Sequence, residues 1–151
     1  MGSLATKNVV RLARFVHPRR GVRFSVYGQP NPRDVRLSAA AIRGAMASQA
    51  SRVWGTFDGS GEPMRLTFQK FADFLYACDY VNEGAVRVNP SSRADGVEEA
   101  PASKTAKRSV EVVEYSCPTD DTRMWSSLRF ELEKAQGRWL LVAIVHDGWT
   151  I

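Results

Sequence analysis

A run of seven apolar residues, from Trp139 to Val145, lies near the end of the chain. A strand with one face in water alternates apolar and polar residues, whereas this run is apolar at every position. We therefore expect residues 138–146 to form a strand that other parts of the protein cover on both sides. An arrangement that leaves one face of this strand in water is excluded.

The segment before this run has the alternating pattern. Leu128, Phe130 and Leu132 alternate with Arg129, Glu131 and Glu133, which predicts a strand with one buried face and one face in water. A short connection at residues 135–137 predicts a hairpin into the last strand.

Two shorter segments also have strand character. Residues 85–88 and 108–115 predict strands, the second with a bend or bulge near Val112. The polar residues 89–107 between them predict a loop.

Before residue 84 the apolar spacing is that of helices. Residues 4–16, 39–49 and 67–75 predict three helices, with Ser38 and Thr67 suited to cap the second and the third. Residues 22–26 predict a short extended segment. Residues 54–63 contain three glycines and a proline, and predict a structured turn.

Helices followed by antiparallel strands predict an α+β fold. We expect three N-terminal helices to pack on one face of a curved antiparallel sheet and to close a cone with one open mouth. The chain has 151 residues, a length that one domain accommodates. We expect residues 1–3 to be a cloning scar and residues 4–151 to form that single domain.

This pattern resembles the nuclear transport factor 2-like (NTF2-like) superfamily. The likeness covers most of the chain and is carried by the helices, the terminal hairpin at residues 128–144, and the Gly-Arg-Trp sequence at residues 137–139. It implies the cone-shaped fold described above. Many members of that superfamily pair through the open sheet face, so the resemblance is also compatible with a homodimer.

A narrower likeness concerns three motifs. Residues 17–25, residues 54–63 and residues 145–151 are similar to segments of uncharacterised bacterial exported proteins and lipoproteins. Those relatives tend to have Ser-Pro-Tyr where this chain has Ser25-Val26-Tyr27. The likeness implies the cell envelope or secretion, reached through an export signal that has been removed, and it implies no particular activity. A cytoplasmic location is the alternative, and we expect contact with a membrane only through a removed N-terminal anchor.

Basic residues are concentrated in the first half of the chain. Lys and Arg outnumber Asp and Glu by twelve to four over residues 1–75. Such a surface attracts polyanions, but no RNA-binding signature, zinc-finger spacing or phosphate loop accompanies it. We therefore do not expect nucleic acid as a partner, and a polyanion-binding surface stays a weaker alternative.

The two cysteines, Cys78 and Cys117, match no metal-ligand spacing. We favour two buried thiols. A disulfide is the alternative, and it would indicate an oxidising compartment. No metal and no cofactor is expected.

Proton transfer needs an imidazole or a carboxylate near neutral pH. The candidates are His17, Asp58, His146 and Asp147, and an enzyme would use His146 with Asp58 or Asp147. Each also has a structural interpretation, because a histidine after an apolar strand is commonly neutral and bonded to backbone, and an aspartate before glycine commonly closes a turn.

The candidates for ligand contact share an aromatic, cationic or imidazole side chain near the expected cone. They are His17, Arg23, Tyr27, Trp54, Arg129 and Trp149. For Arg23 and Arg129 we favour exposure to solvent, since a buried arginine would need an anionic partner.

The sequence leads to a functional hypothesis with two alternatives. We expect a non-catalytic module that binds a small molecule or a protein partner. The alternatives are a small enzyme of the same fold, such as an isomerase, dehydratase or hydrolase that uses a His/Asp pair, and a polyanion-binding surface.

Overall fold

The computed structural model describes residues 7–28, 31–76, 78–82, 84–88, 110–117 and 125–149. Strands hold 48% of these residues and helices 18%. The predicted fold is therefore wrong: the structure is mostly sheet, with three short helices, and is not a cone of three N-terminal helices on a curved antiparallel sheet.

Only the first helix precedes all the strands, and the other two lie between strands. The three helices are α1 (Val9–Ala13), α2 (Ala39–Ala45) and α3 (Phe68–Leu75). The strands are β1 (Val22–Ser25), β2 (Val35–Leu37), β3 (Ser51–Thr56), β4 (Pro63–Thr67), β5 (Ala85–Val88), β6 (Val110–Cys117), β7 (Trp125–Ala135) and β8 (Arg138–Trp149).

The main sheet has six strands in the order β2-β1-β8-β7-β6-β5. It is mixed, because β1 runs parallel to β8 while the other neighbours are antiparallel. This parallel pair joins segments far apart in the sequence, and it corrects the prediction of an antiparallel sheet. Strand β8 lies in the interior of the sheet, and its apolar residues Leu140–Val145 are all buried.

Strands β3 and β4 form a separate antiparallel hairpin. Residues 54–63 were predicted to be only a turn, and this prediction is wrong for both ends of the segment. The turn itself is confined to residues 57–62, where Gly59 and Gly61 have positive φ. The prediction failed because three glycines and a proline lower strand propensity, while pairing with β4 and burial of Trp54 outweigh that loss.

Capping side chains define where the helices begin. The hydroxyl of Ser38 accepts a hydrogen bond from the backbone N–H of Ala41 at 3.1 Å, and Thr67 accepts one from Lys70 at 3.4 Å. Both caps confirm the prediction. Helix α1 is shorter than the predicted helix over residues 4–16, and it begins after Asn8, whose side chain accepts from Arg11 N–H at 2.9 Å.

The core lies between one face of the main sheet and the layer of helices and hairpin. Phe24 of β1 packs edge-on against Trp54 and Phe71, and the last two rings stack with centroids 3.9 Å apart. We call the opposite face of the sheet, which carries Arg23, Arg129 and Glu131, the outer sheet face.

A two-residue turn joins the two longest strands. Gln136 and Gly137 both have positive φ, at 52° and 73°, and Ala135 pairs with Arg138. This geometry matches the right-handed twist of a hairpin. The β6–β7 register is continuous, so the structure has no bulge near Val112, and the irregularity lies instead between Glu131 and Leu132.

A disulfide joins Cys78 to Cys117, with Cα atoms 6.2 Å apart. The favoured prediction of two buried thiols is therefore wrong, and the alternative is correct. The bond ties the segment after α3 to the end of β6. Spacing alone did not reveal the pair, because only the tertiary fold brings these residues together.

Candidate functional site

Charged side chains cover the outer side of β8. On this side of the sheet Arg23 of β1 and Glu131 of β7 both pair in register with Ala143, which lies between them on β8. The guanidinium of Arg23 reaches across and donates from Nη2 to both carboxylate oxygens of Glu131 at 3.3 Å. The methyl side chain of Ala143 leaves room for this crossing.

Arg23 has a second anionic partner. Its Nη1 atom donates to Asp34 Oδ2 at 3.2 Å and to Ser25 Oγ at 3.1 Å. The side chains of Arg23 and Asp34 are only 13% and 7% exposed. The preference for a solvent-facing Arg23 is therefore wrong, and its charge is met by carboxylates of the same chain.

Arg129 occupies a similar position one strand further along. Its Nη2 atom lies 3.9 Å from Glu114 Oε1, and the two side chains are 13% and 5% exposed. The two residues are direct partners across β6 and β7. Arg129, too, is largely buried beside a carboxylate, so the predicted exposure to solvent is wrong for it as well.

A pocket opens where this row of charges reaches the β7–β8 turn. Its volume is about 520 Å³, within the range of small-molecule sites. Its walls are His17, Pro18, Arg19, Glu133, Lys134, Ala135 and Gln136. We call this cavity the His17 pocket.

The turn after α1 fixes the histidine ring in this pocket. The backbone N–H groups of Arg19 and Arg20 donate to His17 Nδ1 at 3.2 and 3.0 Å. The turn closes with a bond from Gly21 N–H to the His17 carbonyl at 2.8 Å. Gly21 has a φ of +64°, and a Cβ there would collide with the Leu37 carbonyl, so this position requires glycine.

These contacts determine which ring nitrogen of His17 carries the proton. Because Nδ1 accepts two hydrogen bonds, it is unprotonated, and the proton of the neutral ring lies on Nε2. Nε2 faces Glu133 Oε1 at 3.9 Å. His17 is thus oriented as a hydrogen-bond donor, which suits binding better than removal of a proton from a substrate.

The pocket has an excess of positive charge. The Glu133 carboxylate is 7% exposed and is paired with Arg20, so its charge is compensated. Arg19 and Lys134 are both exposed, and neither forms an ion pair with the residues that the structure describes. The ammonium of Lys134 lies 6.0 Å from the ring centroid of Trp139, its register partner on β8.

Neighbouring arginines add to this field. Partial burial lowers the pKa of Arg36 from its ordinary value, and the nearby charges of Arg20 and Arg23 lower it further. The Arg36 guanidinium also donates to the Arg20 carbonyl at 3.0 Å. The carboxylates of Asp34 and Glu131 raise the pKa of Arg36 by smaller amounts, so charges of both signs act on this edge of the sheet.

His146 belongs to a different cluster, on the core side of the sheet. Its Nδ1 lies 3.2 Å from the Val26 carbonyl, and its Nε2 lies 3.3 Å from Ser126 Oγ. Since a carbonyl only accepts, Nδ1 donates and Nε2 accepts from Ser126. Ser126 in turn accepts from the Tyr80 hydroxyl at 2.6 Å. When His146 is neutral, every polar side-chain atom in this series of hydrogen bonds has a partner.

Burial lowers the pKa of His146 from its ordinary value of 6.5, against smaller raising effects of the Val26 carbonyl and of Asp147. The unfolded chain therefore takes up a proton at a higher pH than the folded protein does. We predict that the free energy of unfolding falls as the pH decreases below about 6.5, by at most about 1.4 kcal/mol per pH unit. Urea unfolding from pH 8 to pH 5 measures this slope.

The control for this prediction is His146→Gln, whose amide keeps a donor and an acceptor but does not titrate. The variant should have a smaller loss of stability on acidification than the wild type. Equal slopes for the two proteins would show that His146 does not cause the dependence.

The predicted catalytic residues do not form an acid–base pair around His146. Asp58 lies in the exposed β3–β4 turn and accepts from Gly59 N–H at 3.0 Å. Asp147 accepts from Gly148 N–H at 3.0 Å, and as the next residue on β8 it points away from His146. Asp58 instead lies near Tyr27, whose pKa is raised by burial and lowered in part by a hydrogen bond from the Asp58 backbone.

Two tryptophans were expected to contact a ligand. Trp54 is 1% exposed, stacks on Phe71, and donates from Nε1 to the Leu66 carbonyl at 3.0 Å, so it belongs to the core. The side chain of Trp149 lies outside the described residues.

Sequence reasoning missed Arg20, Glu133 and Lys134 as site residues. Glu133 was assigned to a strand face in water, although the strand next to it is apolar on both sides. The signal that could have found Glu133 was the apolar pattern of β8. Because both faces of β8 must be covered, the neighbouring outer face of β7, which carries Glu133, cannot be fully open to solvent.

A second, smaller cavity of about 280 Å³ lies beside α2. Its walls are mainly small or apolar, and Arg52 is the one charged residue among them. It lacks the several polar groups that would orient a ligand.

Within the described residues, no group of three or more His, Cys, Asp or Glu side chains is placed to hold a metal ion. No helix in the described part of the chain has the length and apolar character needed to cross a membrane.

Comparison with protein-family models, with curated proteins and with solved structures finds no match for this chain. The resemblance to the NTF2-like superfamily is therefore neither supported nor excluded by relatives. The correction of the predicted architecture depends on the structure alone.

Proposed function

We propose that this protein is a non-catalytic binding module and that the His17 pocket holds the anionic group of a small molecule. The proposal depends on the charges that line the pocket. Glu133 on the pocket wall is already paired with Arg20. The lining residues Arg19 and Lys134 have no anionic partner among the residues that the structure describes. A carboxylate or phosphate group would supply the missing charge, and charged hydrogen bonds of this kind are the strong ones.

The orientation of His17 supports binding rather than catalysis. Its Nε2–H can donate to a ligand oxygen, whereas its Nδ1 is engaged with two backbone N–H groups. The predicted catalytic side chains form hydrogen bonds to backbone groups instead of to one another. They are His146, Asp58 and Asp147.

The disulfide supports a place in the cell envelope or outside the cell, since such bonds persist in oxidising compartments. We propose this location for the module, in agreement with the likeness of its motifs to bacterial exported proteins.

Calorimetric titration with citrate and with inorganic phosphate tests the proposal. We expect at least one of the two anions to bind, and glycerol, a neutral polyol, to give no signal. The variant Arg19→Ala/Lys134→Ala should bind the anion at least about tenfold more weakly, since each lost charged hydrogen bond is worth about 1.5–3 kcal/mol.

The matched control is Arg33→Ala/Lys70→Ala, which removes the same charge from two exposed residues outside the pocket. It should change the affinity by less than about threefold, because exposed charges at a distance are largely screened. Equal losses in both double variants, or no binding of either anion, would contradict the proposal.

A further inference from the structure

A surface next to the His17 pocket combines exposed apolar side chains with arginines. Val10, Phe15 and Trp139 are 53%, 44% and 38% exposed. Arg11 and Arg14 are exposed between Val10 and Phe15. We call these five residues the α1–Trp139 surface.

The fold brings α1 and the start of β8 to the same end of the sheet. The Phe15 carbonyl accepts a hydrogen bond from Leu141 N–H, and Val16 forms a parallel bridge with Leu141. Leu12, Ala13 and Val16 are buried in the core, so the remaining side of α1 faces water. Trp139 precedes Leu141 by two residues and is exposed at this same end.

Among the residues that the structure describes, acidic side chains do not balance these arginines. No Asp or Glu precedes Asp34 in the sequence, and Asp34 is paired with Arg23. Of the nearer acids in the described residues, Glu133 pairs with Arg20 and Asp73 pairs with Lys7. Arg138, next to Trp139, is exposed and adds a further cation.

A surface of this composition matches the boundary of an anionic bilayer. Arginines are attracted to phospholipid head groups, and tryptophan and phenylalanine prefer the interface, where an apolar ring lies beside polar groups. A nucleic acid would contact the arginines, but it would leave the exposed apolar side chains of Val10, Phe15 and Trp139 without a role.

We propose that the α1–Trp139 surface docks the protein on a membrane that contains anionic phospholipid. This goes beyond the binding of a small anion in the His17 pocket, because it uses different residues and a lipid surface. Arg11 and Arg14 contact phosphate groups, while Phe15 and Trp139 enter the interface.

Sedimentation of the full chain with vesicles tests this proposal. We expect binding to phosphatidylcholine vesicles that contain phosphatidylglycerol, little binding to phosphatidylcholine alone, and weakening by added salt. Each cation at the surface contributes about fivefold in affinity. The variant Arg11→Gln/Arg14→Gln should therefore bind about 25-fold more weakly.

The matched control is Arg43→Gln/Arg65→Gln, which has the same net charge but loses two exposed arginines elsewhere. It should bind within about threefold of the wild type. A second variant, Phe15→Ser/Trp139→Ser, should weaken vesicle binding while keeping the preference for phosphatidylglycerol. Circular dichroism of each variant verifies that the fold is retained.

Several results would overturn the proposal. They are absence of binding to anionic vesicles at low salt, equal losses in the two arginine variants, and unchanged binding of Phe15→Ser/Trp139→Ser. Binding to double-stranded DNA in place of vesicles would also overturn it and would identify a nucleic-acid surface. Phosphate binding by Arg11→Gln/Arg14→Gln should persist, which separates this test from that of the pocket.

Discussion

Replacing Arg23 by alanine is expected to lower the free energy of unfolding by about 3–5 kcal/mol. The change leaves the carboxylates of Asp34 and Glu131 without the cation that both of them share, and the Asp34 side chain is 7% exposed. It also removes the aliphatic part of the arginine from its place above Ala143, where β8 needs a cover. Urea unfolding of the wild type and the variant gives the difference.

Two further variants show whether the loss of stability in Arg23→Ala comes from the unpaired carboxylates or from the uncovered apolar surface of β8. Arg65→Ala removes an exposed arginine from β4 and should cost no more than about 0.5 kcal/mol. The triple variant Arg23→Met/Asp34→Asn/Glu131→Met keeps an apolar cover and removes all three charges. Its new amide oxygen can still accept from the Ser25 hydroxyl and Asn31 N–H, which bond to Asp34 in the wild type. It should therefore lie much closer to the wild type than Arg23→Ala. If Arg23→Ala cost as little as Arg65→Ala, the bridges over β8 would not be part of what stabilises the sheet.

Removal of the disulfide is expected to have a comparable effect. Cys78 and Cys117 are 39 residues apart, and opening a loop of this length lowers stability by about 4 kcal/mol in the chain-entropy account. Cys117 is in register with Ser126, and Tyr80, which is bonded to Ser126, lies two residues after Cys78. The bond therefore also holds the Tyr80–Ser126–His146 chain together.

The comparison is between the wild type and Cys78→Ser/Cys117→Ser, both unfolded by urea without reductant. Adding a reductant should lower the stability of the wild type toward that of the variant and leave the variant unchanged. A difference below about 1 kcal/mol between the wild type and the variant, both without reductant, would contradict this role of the disulfide.

Local signals predicted the parts of the fold that depend on neighbouring residues. The cap at Thr67 and the apolar spacing of Phe68, Phe71 and Leu75 are confirmed in α3, where all three apolar residues are buried. The cap at Ser38 is confirmed as well, but α2 ends at Ala45 and is shorter than the helix predicted over residues 39–49. In each case the helix is specified within about two turns of chain, so no distant contact is required.

The sheet could not be predicted in the same way. The parallel pairing of β1 with β8 joins residues near position 24 to residues near position 144, and no local pattern encodes such a pair. The hairpin at residues 51–67 was not predicted, because its glycines lower the strand propensity of the segment. Local patterns did predict strands in the last part of the sequence, the β7–β8 hairpin, and the need to cover β8 on both sides. On the outer sheet face the structure meets that need with arginine side chains.

The site was predicted in part for the same reason. His17 and Arg23 were recognised from their residue types, but their partners Glu133 and Glu131 were placed on a face in water. Pairing across β8 depends on Ala143 lying between Arg23 and Glu131. This relation is a property of the register and not of either segment alone.

The claim on which the functional account depends is that an anion enters the His17 pocket. Nuclear magnetic resonance of the isotope-labelled protein during a titration with inorganic phosphate tests it most directly. The account predicts saturable shifts concentrated at the backbone amides of residues 17–20 and 133–136. Shifts spread evenly over exposed cations such as Arg43, Arg65 and Lys70, or no shifts in the pocket at saturating phosphate, would contradict it.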